Sequence, residues 1–115
     1  MPMLDLAARA RALTQPPKGI LAADESNTSA DKRLALCGIP TDQETRRKYR
    51  ELFLDAPDIE NYLTGVILYA ETLEQLDEHK ESFPALLLRR GILPGIKVDE
   101  GTEPFPESPD ELITK

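Results

Sequence analysis

The residues with the most chemical reach in this chain stand at the ends of apolar runs. "KGILAADES", residues 18 to 26, carries four apolar residues, Ile20 to Ala23, straight into two carboxylates, Asp24 and Glu25. A second run, Val66 to Tyr69, stops at Glu71, and a third, "GIKVDEG", places Lys97 two residues before Asp99. Side chains alternate across a strand, so Asp24 shares a side with Ile20 and Ala22, and Lys97 shares one with Asp99. If those sides face one cavity, an aspartate and a lysine meet at its mouth. Such a pair can hold an anion and pass a proton, and perturbed charges at strand ends concentrate at functional sites. The competing reading is a buried salt bridge, which adds little stability because desolvation roughly cancels the attraction.

A second constellation follows Asp24. Ser26 and Ser29 supply hydroxyls where a helix begins, Arg33 lies one turn further on, and a helix start favours anions. Spacing alone favours ordinary capping with a solvated arginine. Arg46, Arg47, Lys48 and Arg50 read as the solvated face of a later helix. Cys37 reads as a small core residue and His79, within "DEHKES", as water-facing.

The elements that must position these groups are short. Leu4 to Leu13 has helical apolar spacing and ends before Pro16 and Pro17, while Ile20 to Ala23 lacks polar alternation, as expected of a strand buried on both faces. A helix is expected from Ala30 to about Cys37, with Ser29 as cap and Gly38 at its end. Thr41 to Glu44 forms a capping box for a helix that buries Tyr49, Leu52, Phe53 and Ala56 and stops at Pro57. Val66 to Tyr69 is the second strand, residues 73 to 82 are polar and partly helical, and Pro84 to Arg90 is a further helix. Pairing of the third strand is expected from Gly95, after Pro94. Ser108, Pro109, Asp110 and Glu111 carry the signals of a helix start.

Strand, helix, strand, helix, strand predicts an α/β chain with a parallel sheet. A doubly wound sheet and a barrel both begin this way, although "ADESNTS" replaces the glycine-rich turn of a dinucleotide fold. With 115 residues, 40% hydrophobic and 30% charged, one domain is the ceiling. A barrel takes ~250 residues, so the sequence is read as the amino-terminal portion of a larger domain or a truncated reading frame, with residues 102–115 a proline-rich acidic tail where the next element begins. The net charge of −7 argues against nucleic acid. No stretch reads as a membrane span or a leader, which makes a cytoplasmic location the default expectation. One cysteine and one histidine argue against a structural metal site.

Taken in order, "KGILAADES", "RRKYRELF", "GVILYAETL" and "GIKVDEG" resemble the class I fructose-bisphosphate aldolases, over about residues 3 to 115. The resemblance implies the first three or so β/α units of a (β/α)8 TIM barrel, with residues 1–115 an incomplete domain. It implies a lyase that needs no cofactor and no metal. That lyase cleaves fructose 1,6-bisphosphate to dihydroxyacetone phosphate and glyceraldehyde 3-phosphate through a lysine Schiff base. By the same match, Asp24 takes part in proton movement beside the Schiff base, and Lys97 contacts substrate. Ser26 and Ser29 stand near a phosphate, and Arg33 and Arg46 bind substrate. The implied partner is a small sugar phosphate, with neither nucleic acid nor membrane, and with room for a homo-oligomer at full length. Two departures stand out: the family's "STGS" is here "SNTS", with Thr28 for glycine, and "GIKVDKG" is here "GIKVDEG", with Glu100 for lysine. The family's Schiff-base lysine, on the sixth strand, falls beyond Lys115. The isolated chain is therefore expected to be inactive, and the alternative is a non-catalytic phosphate-binding or subunit-interaction fragment.

Overall fold

The computed structural model describes residues 5–115. Helix α1, Leu6–Leu13, starts where the Asp5 carboxylate accepts the Ala8 N–H at 3.0 Å, so one orphan donor of the first turn is satisfied. The expected start at Leu4 lies outside the described residues. Strand β1, Gly19–Ala23, leads to helix α2, Asn27–Leu36, and then to helix α3, Gln43–Leu54. A single 3-10 turn, Ile59–Asn61, precedes strand β2, Leu63–Leu68, which is followed by the one-turn helix α4, Ala70–Leu73. Helix α5, Phe83–Arg89, and strand β3, Leu93–Ile96, complete the alternation.

The three strands form one parallel sheet in the order β1-β2-β3, with Ala23 beside Leu68 and Leu68 beside Ile96. Parallel strands in level register place their carboxyl ends on one rim. The core gathers under the central strand: Val66 and Leu68 pack with Leu54, Phe83, Leu86, Leu87 and Ile92, all essentially without solvent contact. β1 departs from the expectation of burial on both faces, because among the described residues it pairs on one side only and Ile20 stays 47% exposed. At Gly65 the packing leaves no space for a side chain. A Cβ there would stand 2.7 Å from Leu13 Cδ2 and 3.2 Å from the Leu93 carbonyl oxygen, which is how α1 and β3 both approach β2 so closely. Thr64 reinforces the contact by donating its hydroxyl to the Leu13 carbonyl at 2.6 Å.

Several local expectations give way to better partners. α2 begins three residues early, since Ser26 rather than Ser29 adopts the extended conformation and accepts the Ser29 N–H at 3.2 Å. Asp42, not Thr41, caps α3 by accepting the Thr45 N–H at 2.8 Å, and Glu44 then pairs with Arg47 instead of closing a capping box. α3 also rolls away from its apolar stripe: Leu52 is 73% exposed whereas Arg50 is buried. β3 pairs from Leu93 with Pro94 inside it, which an edge strand tolerates. Of residues 73 to 82 only Leu73 is helical; the rest is loop, held by the buried Asp77 side chain, which accepts the N–H groups of His79 and Glu81. Cys37 sits exposed at the end of α2 rather than in the core, and His79 faces water.

The helix expected from Ser108 is instead a strand. β4, Thr102–Phe105, and β5, Ser108–Thr114, form an antiparallel hairpin pairing Thr102 with Thr114 and Phe105 with Ser108. Cap, proline and acids start a helix only if an apolar face follows that can be buried; here Leu112, Ile113 and Thr114 follow, and the β-branched pair suits a strand. Main-chain bonds from Glu100 N–H to the Lys115 carbonyl and from Lys115 N–H to the Gly101 carbonyl close its base.

Candidate active site

Sheet pairing of β1 ends at Ala23, so Asp24 is the first residue beyond the rim, and Lys97 is the first beyond β3. The Lys97 N–H donates to the Leu68 carbonyl at 2.9 Å, which keeps its backbone against β2. From there its ammonium donates to Asp99 Oδ2 at 2.7 Å and reaches Asp24 Oδ2 at 3.7 Å. All three side chains keep roughly a quarter to a third of their surface exposed. The Asp99 hydrogen bond, followed by the charges of Asp99 and Asp24, raises the pKa of Lys97 above its ordinary value despite partial desolvation. Lys97 in turn, with the Gly101 N–H, lowers that of Asp99. The result is a fixed cation held between two carboxylates. It can attract a phosphate or a developing oxyanion, but it is poorly suited to attack a carbonyl, which requires the free amine.

On the other side of β1, a cleft of about 460 Å³ is walled by Leu21, Ala23 and Phe53 and rimmed by Glu25, Arg33, Tyr49 and Arg50. Asp24 borders it and Lys97 does not. Arg33, the expected phosphate ligand, is largely exposed but engaged: its Nε donates to Glu25 Oε2, which raises the arginine's pKa further. The second Glu25 oxygen accepts the Tyr49 hydroxyl at 3.4 Å, and burial, ahead of the Glu25 charge, raises the pKa of that phenol. Ser26 and Ser29 are likewise engaged with each other, Ser26 Oγ donating to Ser29 Oγ at 3.2 Å as part of the helix cap.

Arg46 belongs to a different assembly. All three of its guanidinium nitrogens donate to carboxylates, Nε and Nη2 to Glu71 at 2.9 Å each and Nη1 to Asp31 at 3.1 Å, and its side chain is only 12% exposed. Arg50 joins from one turn later on α3: Nη1 donates to Glu71 Oε1 at 2.7 Å, and Nη2 to the Glu25 carbonyl at 2.9 Å and Asn27 Oδ1 at 3.0 Å. Asn27 closes the ring by donating to Glu71 Oε2 at 3.0 Å, and the Arg50 guanidinium lies 5.4 Å from the centre of the Tyr69 ring. Hydrogen bonds from Arg46 and then Arg50 lower the pKa of Glu71 against the effect of its burial. The solvated arginine face expected on α3 is therefore a largely buried ion network. The i, i+4 spacing of Arg46 and Arg50 opposite a carboxylate ending β2 was its one visible signal.

A family model described as fructose-bisphosphate aldolase class-I matches residues 5–115. The chain belongs to the class-I fructose-bisphosphate aldolase family. It is 43% identical over 115 residues to a probable fructose-bisphosphate aldolase class 1 of Xanthomonas axonopodis pv. citri, covering 100% of this chain and 34% of that protein. Against fructose-bisphosphate aldolase 1 of Caenorhabditis elegans the identity is 48% over 102 residues, 88% of this chain and 28% of the relative. The crystal structure of a Plasmodium falciparum fructose-bisphosphate aldolase, in complex with TRAP and a small-molecule inhibitor, superposes with a TM-score of 0.87 at 38% identity, covering 96% of this chain and 32% of that one. This aldolase-family chain thus spans about a third of the length of the relatives it matches. Its parallel sheet and covering helices are the corresponding part of the family's barrel fold.

Proposed function

We propose that this chain supplies the Asp24 and Lys97 portion of a class-I fructose-bisphosphate aldolase site, which cleaves fructose 1,6-bisphosphate reversibly to two triose phosphates. The carrying observation is the meeting of Asp24 and Lys97 at 3.7 Å across the end of β2, on a shared rim. In this reading Lys97 holds substrate oxygen as a cation, and Asp24 moves a proton beside the reacting carbon. Arg33, released from Glu25, and the Ser26 and Ser29 hydroxyls receive phosphate. Arg46 serves the same site from beneath, by holding Glu71, rather than by touching substrate.

The Schiff-base nucleophile lies outside residues 1–115. Lys97 is held as a cation, and Lys18, Lys32, Lys48, Lys80 and Lys115 are all exposed, none in a desolvating pocket of the kind that activates an amine. In this reading the 115-residue chain is inactive by itself. Borohydride trapping with dihydroxyacetone phosphate, read by mass spectrometry, is expected to leave it unlabelled, and an adduct on any of its lysines overturns this assignment of roles.

A second reading, a non-catalytic interaction fragment, draws on the sheet edges: β1 and β3 pair on one side only among the described residues, and Ile20 and Ile96 are 47% and 46% exposed. Sugar phosphate leaving the Lys97 side-chain resonances unmoved would favour it.

A further inference from the structure

We propose that Arg50 is a positioning residue for this site: by clamping the Glu25 carbonyl from below, it sets where Asp24 stands relative to Lys97. The assignment rests on Asp24 and Lys97 being the working pair.

The argument begins where β1 loses its neighbour. Pairing with β2 stops at Ala23, and the Ser26 carbonyl is the next one used by α2, accepting the Ala30 N–H. Between those two anchors lie Asp24 and Glu25, whose backbone course sets both the proton-carrying carboxylate and the helix start. Arg50 fills that gap. Its Nη2 reaches the Glu25 carbonyl within the gap and Asn27 Oδ1 beyond it, while Nη1 is fixed by Glu71 of α4, which follows β2.

The clamp is itself rigid. Arg50 is 3% exposed, lies over Tyr69 and shares Glu71 with Arg46, which Asp31 of α2 holds from the far side. A planar fork meets three acceptors at fixed angles, and a buried charge satisfied in this way has few alternative arrangements. The rim on which Asp24 and Lys97 meet is therefore registered by a side chain whose hydrogen bonds go to Glu71, the Glu25 carbonyl and Asn27 rather than to either of them. A lysine at position 50 would keep the charge and lose the fork.

The test follows the titration of the Lys97 ammonium by side-chain NMR in the 115-residue chain, with Asp24→Asn as reference and circular dichroism to confirm folding. In folded Arg50→Lys, the Lys97 titration is expected to fall to that of Asp24→Asn, because the Asp24 contribution is lost while the larger Asp99 contribution stays. Arg47→Gln, which breaks ion pairs elsewhere on α3, is expected to leave it at the parental position. Should Arg50→Lys fail to fold, Asn27→Ala, which removes one acceptor of the fork, is expected to move Lys97 in the same direction by less. A parental Lys97 titration in folded Arg50→Lys, or in Asn27→Ala where only that variant folds, overturns the proposal. Adding dihydroxyacetone phosphate to the parent separates this from the aldolase reading: an unresponsive Lys97 counts against the sugar-phosphate role and leaves the Arg50 result standing.

Discussion

Lys97 Nζ stands 3.7 Å from Asp24 Oδ2, although the two residues follow strands that are not neighbours in the sheet. They meet across the end of β2, and the meeting depends on level register: Ala23, Leu68 and Ile96 end their pairing side by side. Replacing Lys97 separates function from stability. Because the three charged side chains remain partly exposed, Lys97→Met is expected to leave the unfolding midpoint nearly unchanged, measured by urea denaturation at pH 7. The same variant is expected to abolish the shifts that dihydroxyacetone phosphate causes in the backbone amide resonances of Asp24 and Asp99. Since its folded-state pKa is raised, the stabilisation Lys97 gives is fully present below its ordinary 10.5 and is lost as pH rises through the raised folded value. Parent and variant should therefore converge in strong alkali.

Glu71 governs the acid side. Its pKa lies below the ordinary 4.5 because Arg46 and Arg50 hydrogen-bond the carboxylate. The unfolded state thus takes up this proton first, so stability contributed by Glu71 is present above about pH 4.5 and disappears as pH falls through the lowered folded value. Glu71→Gln leaves two largely buried guanidinium groups short of charge and is expected to cost on the order of 3 kcal/mol at pH 7. The variant should also show a shallower loss of stability on acidification than the parent, and parallel acid titrations of the two decide it.

Gly65 is a packing constraint between three elements. Gly65→Ala is expected to destabilise by about 1–3 kcal/mol through overpacking against Leu13 and the Leu93 carbonyl. Leu13→Ala in that background should recover part of the loss, since the side chain can be removed and the carbonyl cannot. A double-mutant cycle on thermal melts showing strict additivity would refute the contact.

Cys37 offers a test of how α2 sits. Its thiol is exposed where the helix ends, so a disulfide reagent is expected to modify the folded chain completely without denaturant. Protection lifted only by urea would mean that the end of α2 packs inward.

Phe83 measures the core under β2. It has no solvent contact, and Phe83→Ala is expected to cost about 3–5 kcal/mol. Chemical denaturation with an unchanged slope would assign that loss to the native core.

Much of the fold was legible from local pattern. Apolar runs announced β1, β2 and β3, local signals announced helices near α2, α3 and α5 although Ser26 and Asp42 rather than the expected Ser29 and Thr41 cap the first two, and carboxylates at strand ends pointed to the rim where Asp24 and Lys97 meet. Failures occurred where a long-range partner outweighed a local preference. Ser108 to Glu111 carries every sign of a helix start, yet Thr102 to Phe105 lies alongside and pairs with Ser108 and with Leu112 to Thr114. The α3 stripe of Tyr49, Leu52 and Phe53 predicted which face turns inward, but Glu71 and the Glu25 carbonyl draw Arg50 in and leave Leu52 in water.

The amino-acid order alone determined the alternation of strand and helix, the carboxylates and lysine at strand ends, and the family resemblance, because these depend on side-chain period and residue type within a few positions. Only the folded chain decided that Arg46 and Arg50 join one largely buried ion network, that Ser26 caps α2, and that Lys97 rests between two aspartates. Each of those outcomes turns on a hydrogen bond or charge supplied by a distant segment, and a buried guanidinium and a solvated one are written with the same letter.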